Sequence, residues 1–411
     1  MLVLRGGMVL DGTGSAPRAA SVVVAGDRIE DVLSADAPPP AGALVEDVSG
    51  CLVTPGLVDA HTHLFLAGQI FAEMGYEREL LKDSLPLRTL RGAAHARLML
   101  DHGVTTVRDV CTEGAGFADV ALRRAIEAGL CEGPRLHPSG PGIGITGGYY
   151  PTGWAPGLCL PMGCSIVDSA DAARREVRAQ IEHGVSWIKV FADWAGSEPV
   201  TGDRFVAPTF TREELLAIVD EAARRHRRVA AHVMSDAGAR HAIECGVASL
   251  EHMGDFSRET LDLAAARGVF LVPTLSVFRH GIAHVTDEKT RVRARQQWER
   301  ATAVFAEARA AGARIAAGSD IGAYPHAEGS LSELGIYMEL GMSPAEAVRA
   351  ATSEGAALLG TDDGGRIAKG MAADLCVFAG AGDPRGALAR LPVLVILAGK
   401  VVRGEPPAEP R

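Results

Sequence analysis

Two histidines stand two residues apart in PGLVDAHTHL, His61 and His63, at the end of an apolar run. Alternate residues of a strand face the same way, so both rings point to one side. Further along, VSWIKVFADW carries one lysine, Lys189, among Trp, Ile, Val and Phe. AAHVMS ends a third apolar run on His232, SLEHMGD a fourth on His252, and AAGSDIG a fifth on Asp320. Four imidazoles and a carboxylate form a nitrogen and oxygen donor set suited to a divalent metal, zinc before others. A lysine inside an apolar strand must reach out to solvent, lose its charge or meet a partner that needs it.

Singly, each of these residues has an ordinary reading. A buried histidine is usually a hydrogen-bonded core residue, Asp320 suits a helix N-cap, and Lys189 alone could extend past its strand's end. Jointly, the ordinary readings require five unrelated coincidences, all at strand ends. The metal site is the better account.

The elements that must position these residues are legible in the alternation of apolar runs with helix-period stretches. GLVDAHTH, TTVRDV, RLHPSG, WIKVF, VAAHV, SLEH, VFLVPT and ARIAAGSD read as eight strands, each followed by helical sequence. That is the count for a (β/α)8 TIM barrel, whose active sites form at the C-terminal ends of the strands. Thr211 with Glu214, and Ser343 with Glu346 behind Pro344, are capping boxes, while Gly246 and Gly268 sit where left-handed helix stops belong. The ends read differently: short alternating strands with glycine turns. We expect residues 1–54 and 362–411 to pair into a small β-sandwich bracketing a barrel of residues 55–361.

Composition bounds the rest. The chain has 411 residues, 47% hydrophobic and 22% charged, enough for a large core. Its formal net charge of −10 argues against nucleic acid or an anionic membrane as partner. Arg224, Arg225, Arg227 and Arg228 read as the solvated end of a helix. The longest late apolar run, LPVLVILAG, is too short to span a bilayer, and no leader pattern opens the chain. Seven cysteines without a C-x-x-C pair point to reduced thiols and a cytoplasmic protein, with Cys159 and Cys164 the one pair sharing a loop.

In their order, PGLVDAHTHL, GVSWIKVFADW, AAHVMS, SLEHMGD and AAGSDIG resemble the amidohydrolase superfamily, and the closing GRIAKGMAADLCVF is similar to it too. Within it the chain is similar to the prolidase-like and imidazolonepropionase-like branches. The resemblance implies two Zn2+ per subunit: His61, His63 and Asp320 would hold one, His232 and His252 the other, with Lys189 joining them as a carbamate formed with CO2. It also implies a homo-oligomer and hydrolysis of an amide-type C–N bond (peptide, N-acyl amino acid or related amide) by a metal-bridging hydroxide, with Asp320 as the catalytic acid–base group. Alternatives on the same scaffold are a mononuclear deaminase or cyclic-amide hydrolase, an esterase, lactonase or phosphotriesterase, and a relative without catalysis. Lys189 counts against the mononuclear form, and the complete ligand set against the last.

Substrate contacts are expected from the loops. The glycine-rich PGIGITGGYYPTGWAPGLCLP carries Tyr149, Tyr150 and Trp154 and reads as a lid or pocket wall, or equally as a packing loop. His137 and His326 are candidate substrate contacts, each with a core alternative. Arg108 and Asp109 read as an interior ion pair. Prolidase-like relatives have a histidine after the paired glycines and a tyrosine shortly after the fifth-strand histidine. This chain has Tyr149 and Met234 there, and a methionine cannot donate to a carboxylate. A less polar acyl group or a cyclic amide is therefore expected in place of a simple dipeptide.

Overall fold

The computed structural model describes residues 1–72, 75–149, 151, 154, 155, 157–194, 207–285 and 288–404. Strands β1 (Leu2–Val9), β2 (Arg18–Ala25), β3 (Arg28–Ser34), β4 (Leu44–Asp47) and β5 (Cys51–Pro55) open the chain. The middle holds β6 (Leu57–Thr62), β7 (Val104–Asp109), β8 (Arg135–Pro138), β9 (Gly142–Gly144), β10 (Cys164–Ile166), β11 (Trp187–Phe191), β12 (Arg228–His232), β13 (Ser249–Glu251), β14 (Phe270–Val272) and β15 (Arg314–Ile315). β16 (Leu375–Ala379), β17 (Leu394–Leu397) and β18 (Lys400–Arg403) close it.

The two ends of the chain do pair: β18-β17-β16-β5-β1-β2-β3 form one sheet, with β4 added beside β1. Leu4, Val22, Val24, Val53, Leu375, Val377 and Ile396 bury one apolar cluster on it. β5 runs into β6 across Gly56 alone, so the terminal sheet is continuous with the first strand of the middle region. A Cβ on Gly56 would lie 2.2 Å from Thr105 Oγ1, which leaves no room for a side chain at this joint.

The middle strands are parallel, in the orders β6-β7-β8 and β10-β9-β11-β12-β13-β14-β15. Backbone hydrogen bonds also cross between the two sheets, Ser186 N to Pro138 O at 2.8 Å, Ala60 N to Ala317 O at 2.9 Å and His63 N to Ile321 O at 2.8 Å. Helices follow the strands, and both predicted capping boxes and both left-handed glycine stops are present, Gly246 at φ 93° and Gly268 at φ 67°. Alternation along β11 and β12 sorts the side chains into two environments. Ile188, Val190, Val229 and Ala231 join the main core, whereas Trp187 and Ala230 join a second cluster with Val58, Ala60 and Phe270. Lys189 and His232 lie in register with the second set. Each large apolar side chain so buried contributes about 1.5–3 kcal/mol.

All seven cysteines are free, as expected of reduced thiols, and Cys159 and Cys164 do not pair. Arg224, Arg225 and Arg228 are exposed at the end of the helix Arg212–Arg224, as expected, while Arg227 Nε donates to Val185 O at 2.9 Å and Arg228 Nη1 to Leu358 O at 2.7 Å. The expected interior ion pair is corrected. Arg108 and Asp109 do not pair with each other, because consecutive strand residues face opposite sides. Arg108 Nη2 instead meets Glu251 Oε1 at 2.7 Å, and Asp109 Oδ2 accepts from Leu64 N at 2.7 Å.

Candidate metal centre

His61 lies at the end of β6 and His63 just after it, His232 ends β12, His252 follows β13 and Asp320 lies in the segment after β15, all at C-terminal strand ends, while Lys189 is the middle residue of β11. The structure brings the histidines and the carboxylate together. Asp320 Oδ1 lies 3.1 Å from His63 Nε2 and 3.5 Å from His61 Nε2, and its Oδ2 lies 3.8 Å from His252 Nδ1. The His61 and His252 rings are 4.8 Å apart and those of His232 and His252 4.6 Å. His61, His252 and Asp320 each offer one ligand atom within 4.8 Å of the others. Among the described residues, His61 Nε2 is buried with no hydrogen-bond partner. An orphaned imidazole nitrogen aimed at a carboxylate is what a cation site requires, and the donor set fits a divalent metal.

Supporting residues fix which nitrogen is available. His61 Nδ1 donates to Glu251 Oε2 at 2.8 Å, since a carboxylate only accepts, and this leaves the lone pair on Nε2. His63 Nδ1 contacts the Cys111 carbonyl at 3.0 Å, and His252 Nδ1 contacts Thr274 Oγ1 at 2.8 Å. Glu251 is itself held by Arg108 and by the Ser249 hydroxyl at 2.5 Å, and Arg108 lies over the Trp187 ring at 4.5 Å. Glu251 and Arg108 are fully buried.

Burial, then the charge of Lys189, holds His61 and His232 well below the ordinary histidine pKa; burial, then His232, does the same to His252. Those rings are neutral, as ligands must be. His63 differs: burial pulls it down, but the hydrogen bond and charge of Asp320 raise it to about 9. A proton on His63 thus balances Asp320 where a cation would compete for the same groups. Lys189 is 1% exposed, and burial lowers its pKa. Among the described residues no carboxylate lies within 4.0 Å of its ammonium nitrogen.

Backbone strain collects here. Of the seven non-glycine residues with positive φ among the described residues, five are Cys111, Glu113, His252, Thr274 and Asp320. Such conformations cost about 1–3 kcal/mol each and persist where surrounding structure holds them. Thr274, a β-branched residue at φ 50°, is held by Glu333, which accepts from the next two backbone amides, Leu275 N at 2.9 Å and Ser276 N at 2.7 Å.

Burial pushes the Glu333 carboxyl up to about 7, against hydrogen bonds that favour its anion. The folded state therefore binds this proton more tightly than the unfolded chain. The resulting stability is present below the unfolded value of 4.5 and is lost as pH rises through about 7. Wild type should lose roughly 3 kcal/mol relative to Glu333→Gln between those pH values, read from the pH slope of urea unfolding and not from its offset.

The candidate substrate contacts divide. Tyr149 is buried, its ring stacked on Phe191 at 3.6 Å and edge-on to Trp194 at 4.8 Å, and its hydroxyl donates to Glu113 at 3.0 Å. It packs behind Phe191 and Trp194, whose rings lie 5.8 Å and 5.5 Å from that of His232. Met234 follows His232 with its backbone amide held by Asp193 at 2.9 Å. Tyr150 lies outside the described residues. His326 turns inward and stacks on His95 at 3.6 Å, 3% exposed. His137 is at the other end of the strands. It lines a cavity of about 570 Å³ with Thr106, Arg123, Arg135 and Asp374, and burial, then Arg108, pushes its pKa down to about 4. RLHPSG is only the first half of its strand; the chain continues as β9, which pairs with β11 through Ile143 and Val190.

Comparison with known proteins agrees with this geometry. Residues 52–402 match the sequence pattern described as the amidohydrolase family. Ochratoxinase of Aspergillus niger is 30% identical over 403 residues, covering 91% of this chain and 80% of its own. Its crystal structure superposes with a TM-score of 0.84 at 26% identity, covering 98% and 96% of the two chains. Imidazolonepropionase of Anaeromyxobacter dehalogenans is 29% identical, covering 89% and 85%. The crystal structure of a Xaa-Pro dipeptidase with bound methionine in the active site has a TM-score of 0.85 at 27% identity, covering 98% and 100%.

Proposed function

Because the chain belongs to the amidohydrolase family, we propose that it hydrolyses an amide-type C–N bond in a small molecule at the Asp320 centre. The observation that carries this reading is the approach of one Asp320 oxygen to both His61 Nε2 and His63 Nε2. His61, His63 and Asp320 would hold one Zn2+, His232 and His252 a second, and Lys189, carboxylated on its amine, both. Bound there, the cations supply a hydroxide at neutral pH and polarise the scissile carbonyl.

The chain's own residues do the rest. Buried, and with no carboxylate within 4.0 Å among the described residues, Lys189 favours the neutral amine that attacks CO2; the new N–C bond forms as the nitrogen loses a proton, leaving an anion. Asp320 orients the attacking oxygen, takes its proton and passes it to the leaving amine. Glu251, Cys111 O and Thr274 keep the imidazoles turned toward the centre. Tyr149, Phe191 and Trp194 offer an apolar face to one side of the substrate.

That face favours an N-acyl amino acid or aryl amide over a simple dipeptide, since the Tyr149 hydroxyl is already bonded to Glu113. The imidazolonepropionase relative keeps a cyclic amide as the second reading. We also read the hydrogen bonds joining β6 to the segment after β15 as the closure of a (β/α)8 barrel over residues 55–361. The forked pairing of β1, with β4 beside Leu2–Arg5 and β5 beside Met8–Val9, supports a terminal sandwich of residues 1–54 and 362–411. Exposed Leu81, Leu85, Leu87 and Leu90 support a homo-oligomer, and seven free thiols support a cytoplasmic setting. No helix among the described residues is long and apolar enough to cross a membrane, and the net charge of −10 disfavours nucleic acid.

The test is a hydrolysis panel on zinc-loaded protein with bicarbonate, holding dipeptides, N-acyl amino acids, cyclic amides, aryl amides and aryl esters. Release of free amine from N-acyl or aryl amides is the expected result. Turnover of the esters alone would overturn the C–N assignment.

A further inference from the structure

Away from Asp320, one other group of metal-capable side chains stands together among the described residues: His280, His284 and Glu328. His280 and His284 are one turn apart on the helix Leu275–His284, so their rings share a face, and they stack with centroids 3.8 Å apart at 15°. Glu328 ends the short helix His326–Glu328 that follows the Asp320 segment, and its Oε2 is 3.0 Å from His280 Nδ1. His284 Nδ1 donates to the His280 carbonyl at 3.0 Å, which leaves Nε2 as its free lone pair. The His280 side chain is only 8% exposed, set between the rings of Phe71 at 5.7 Å and Tyr324 at 5.3 Å.

We propose that His280, His284 and Glu328 form a separate divalent-cation site, taking Zn2+, that ties the helix Leu275–His284 to the turn carrying Glu328. Two imidazoles and a carboxylate, with open positions for water, are an established zinc donor set. One ligand atom from each residue already lies within 4.8 Å of the other two. Tetrahedral zinc with bonds of about 2.0–2.2 Å needs its ligand atoms roughly 3.3–3.5 Å apart. His284 and Glu328 are exposed, so rotation of two surface side chains closes that gap around the fixed His280 ring.

The position gives the site a consequence. The helix it would clamp begins just after Thr274, whose hydroxyl contacts His252, and the turn it would clamp begins six residues after Asp320. Zinc bound here therefore stiffens both supports of the centre without touching it. It acts as a regulatory or stabilising ion and not as a reactive one.

The test compares wild type with His284→Ala and Glu328→Gln, each stripped with chelator and titrated with Zn2+ alone. Bound zinc is counted by elemental analysis and thermal unfolding is followed in parallel. Wild type should hold one zinc more per chain than His284→Ala at micromolar free zinc, with a rise of several degrees in Tm on filling that equivalent. Glu328→Gln should bind it about tenfold more weakly, and Co2+ in its place should give a visible band that His284→Ala lacks. The difference between proteins is read whatever number of cations the Asp320 centre takes, so the two readings fail separately. Equal zinc counts in all three proteins, or an extra equivalent bound only at millimolar zinc, would overturn the proposal.

Discussion

Replacing Asp320 by asparagine is expected to lower kcat for amide hydrolysis by about 10³-fold or more, the scale of a lost acid–base group. Asparagine nearly matches aspartate in shape and tolerates the left-handed backbone at φ 60° that this position requires. Its amide can still hydrogen-bond His61 and His63, so the fold should survive and circular dichroism should be unchanged. What disappears is the anion that faces His63 Nε2 at 3.1 Å and would shuttle the proton. The pKa of His63, raised to about 9 through Asp320, should fall as well, and NMR titration of the metal-free variant reads that directly. Activity within tenfold of wild type would remove Asp320 from the mechanism.

Lys189→Ala is expected to lose bound zinc and to cut turnover more than about 100-fold, since even groups that merely orient metal ligands cost 10–100-fold. Lys189→Arg should fare no better, because a guanidinium stays charged and cannot add CO2. The structure gives the reason for expecting chemistry at this lysine: it is 1% exposed, faces the same side of β11 as Trp187 and Phe191, and has no carboxylate within 4.0 Å among the described residues. A cation in that setting is costly; an amine converted to an anion between cations is not. Short carboxylates such as acetate or propionate, soaked into the space left by Lys189→Ala, should restore part of the zinc and part of the rate. Full activity and full zinc in the alanine variant would sink the bridging role.

The ligand residues were legible because the histidines and Asp320 sit at the polar ends of otherwise apolar strands and Lys189 stands alone inside one, patterns carried by a few adjacent residues. The capping boxes are equally local, and they hold. The strand count does not: among the described residues the middle region has ten strands where eight were expected, because RLHPSG continues as β9 and the short β10 at Cys164–Ile166 lies in a stretch that reads as loop. What holds the ligands in place was not legible. His61 and Glu251 are 190 residues apart, and nothing in SLEH says which neighbour its carboxylate meets. Arg108 was read against Asp109 because they are adjacent in sequence, yet the strand's alternation sends them to opposite faces. His137 was placed at the wrong end of the strands because Ser139–Pro141 interrupts β8 before it resumes as β9, and a proline-glycine break reads as a strand's end. His326 follows Asp320 closely in sequence, but the turn through Tyr324 and Pro325 carries its ring into the core against His95. The pairing of the two chain ends was visible in their alternation; the fork at β1, with β4 beside Leu2–Arg5 and β5 beside Met8–Val9, is a long-range pairing that no composition shows.

The central claim is that this centre hydrolyses amides only when both cations and the modified lysine are in place. The most direct measurement strips the protein with chelator at low CO2, then returns Zn2+ stepwise with and without bicarbonate while amine release from an N-acyl amino acid or aryl amide is followed. The expected result is no turnover in the stripped protein, a rise that is complete at two zinc equivalents, and a clear dependence of that rise on bicarbonate. Sustained amide hydrolysis by the stripped protein would contradict the account.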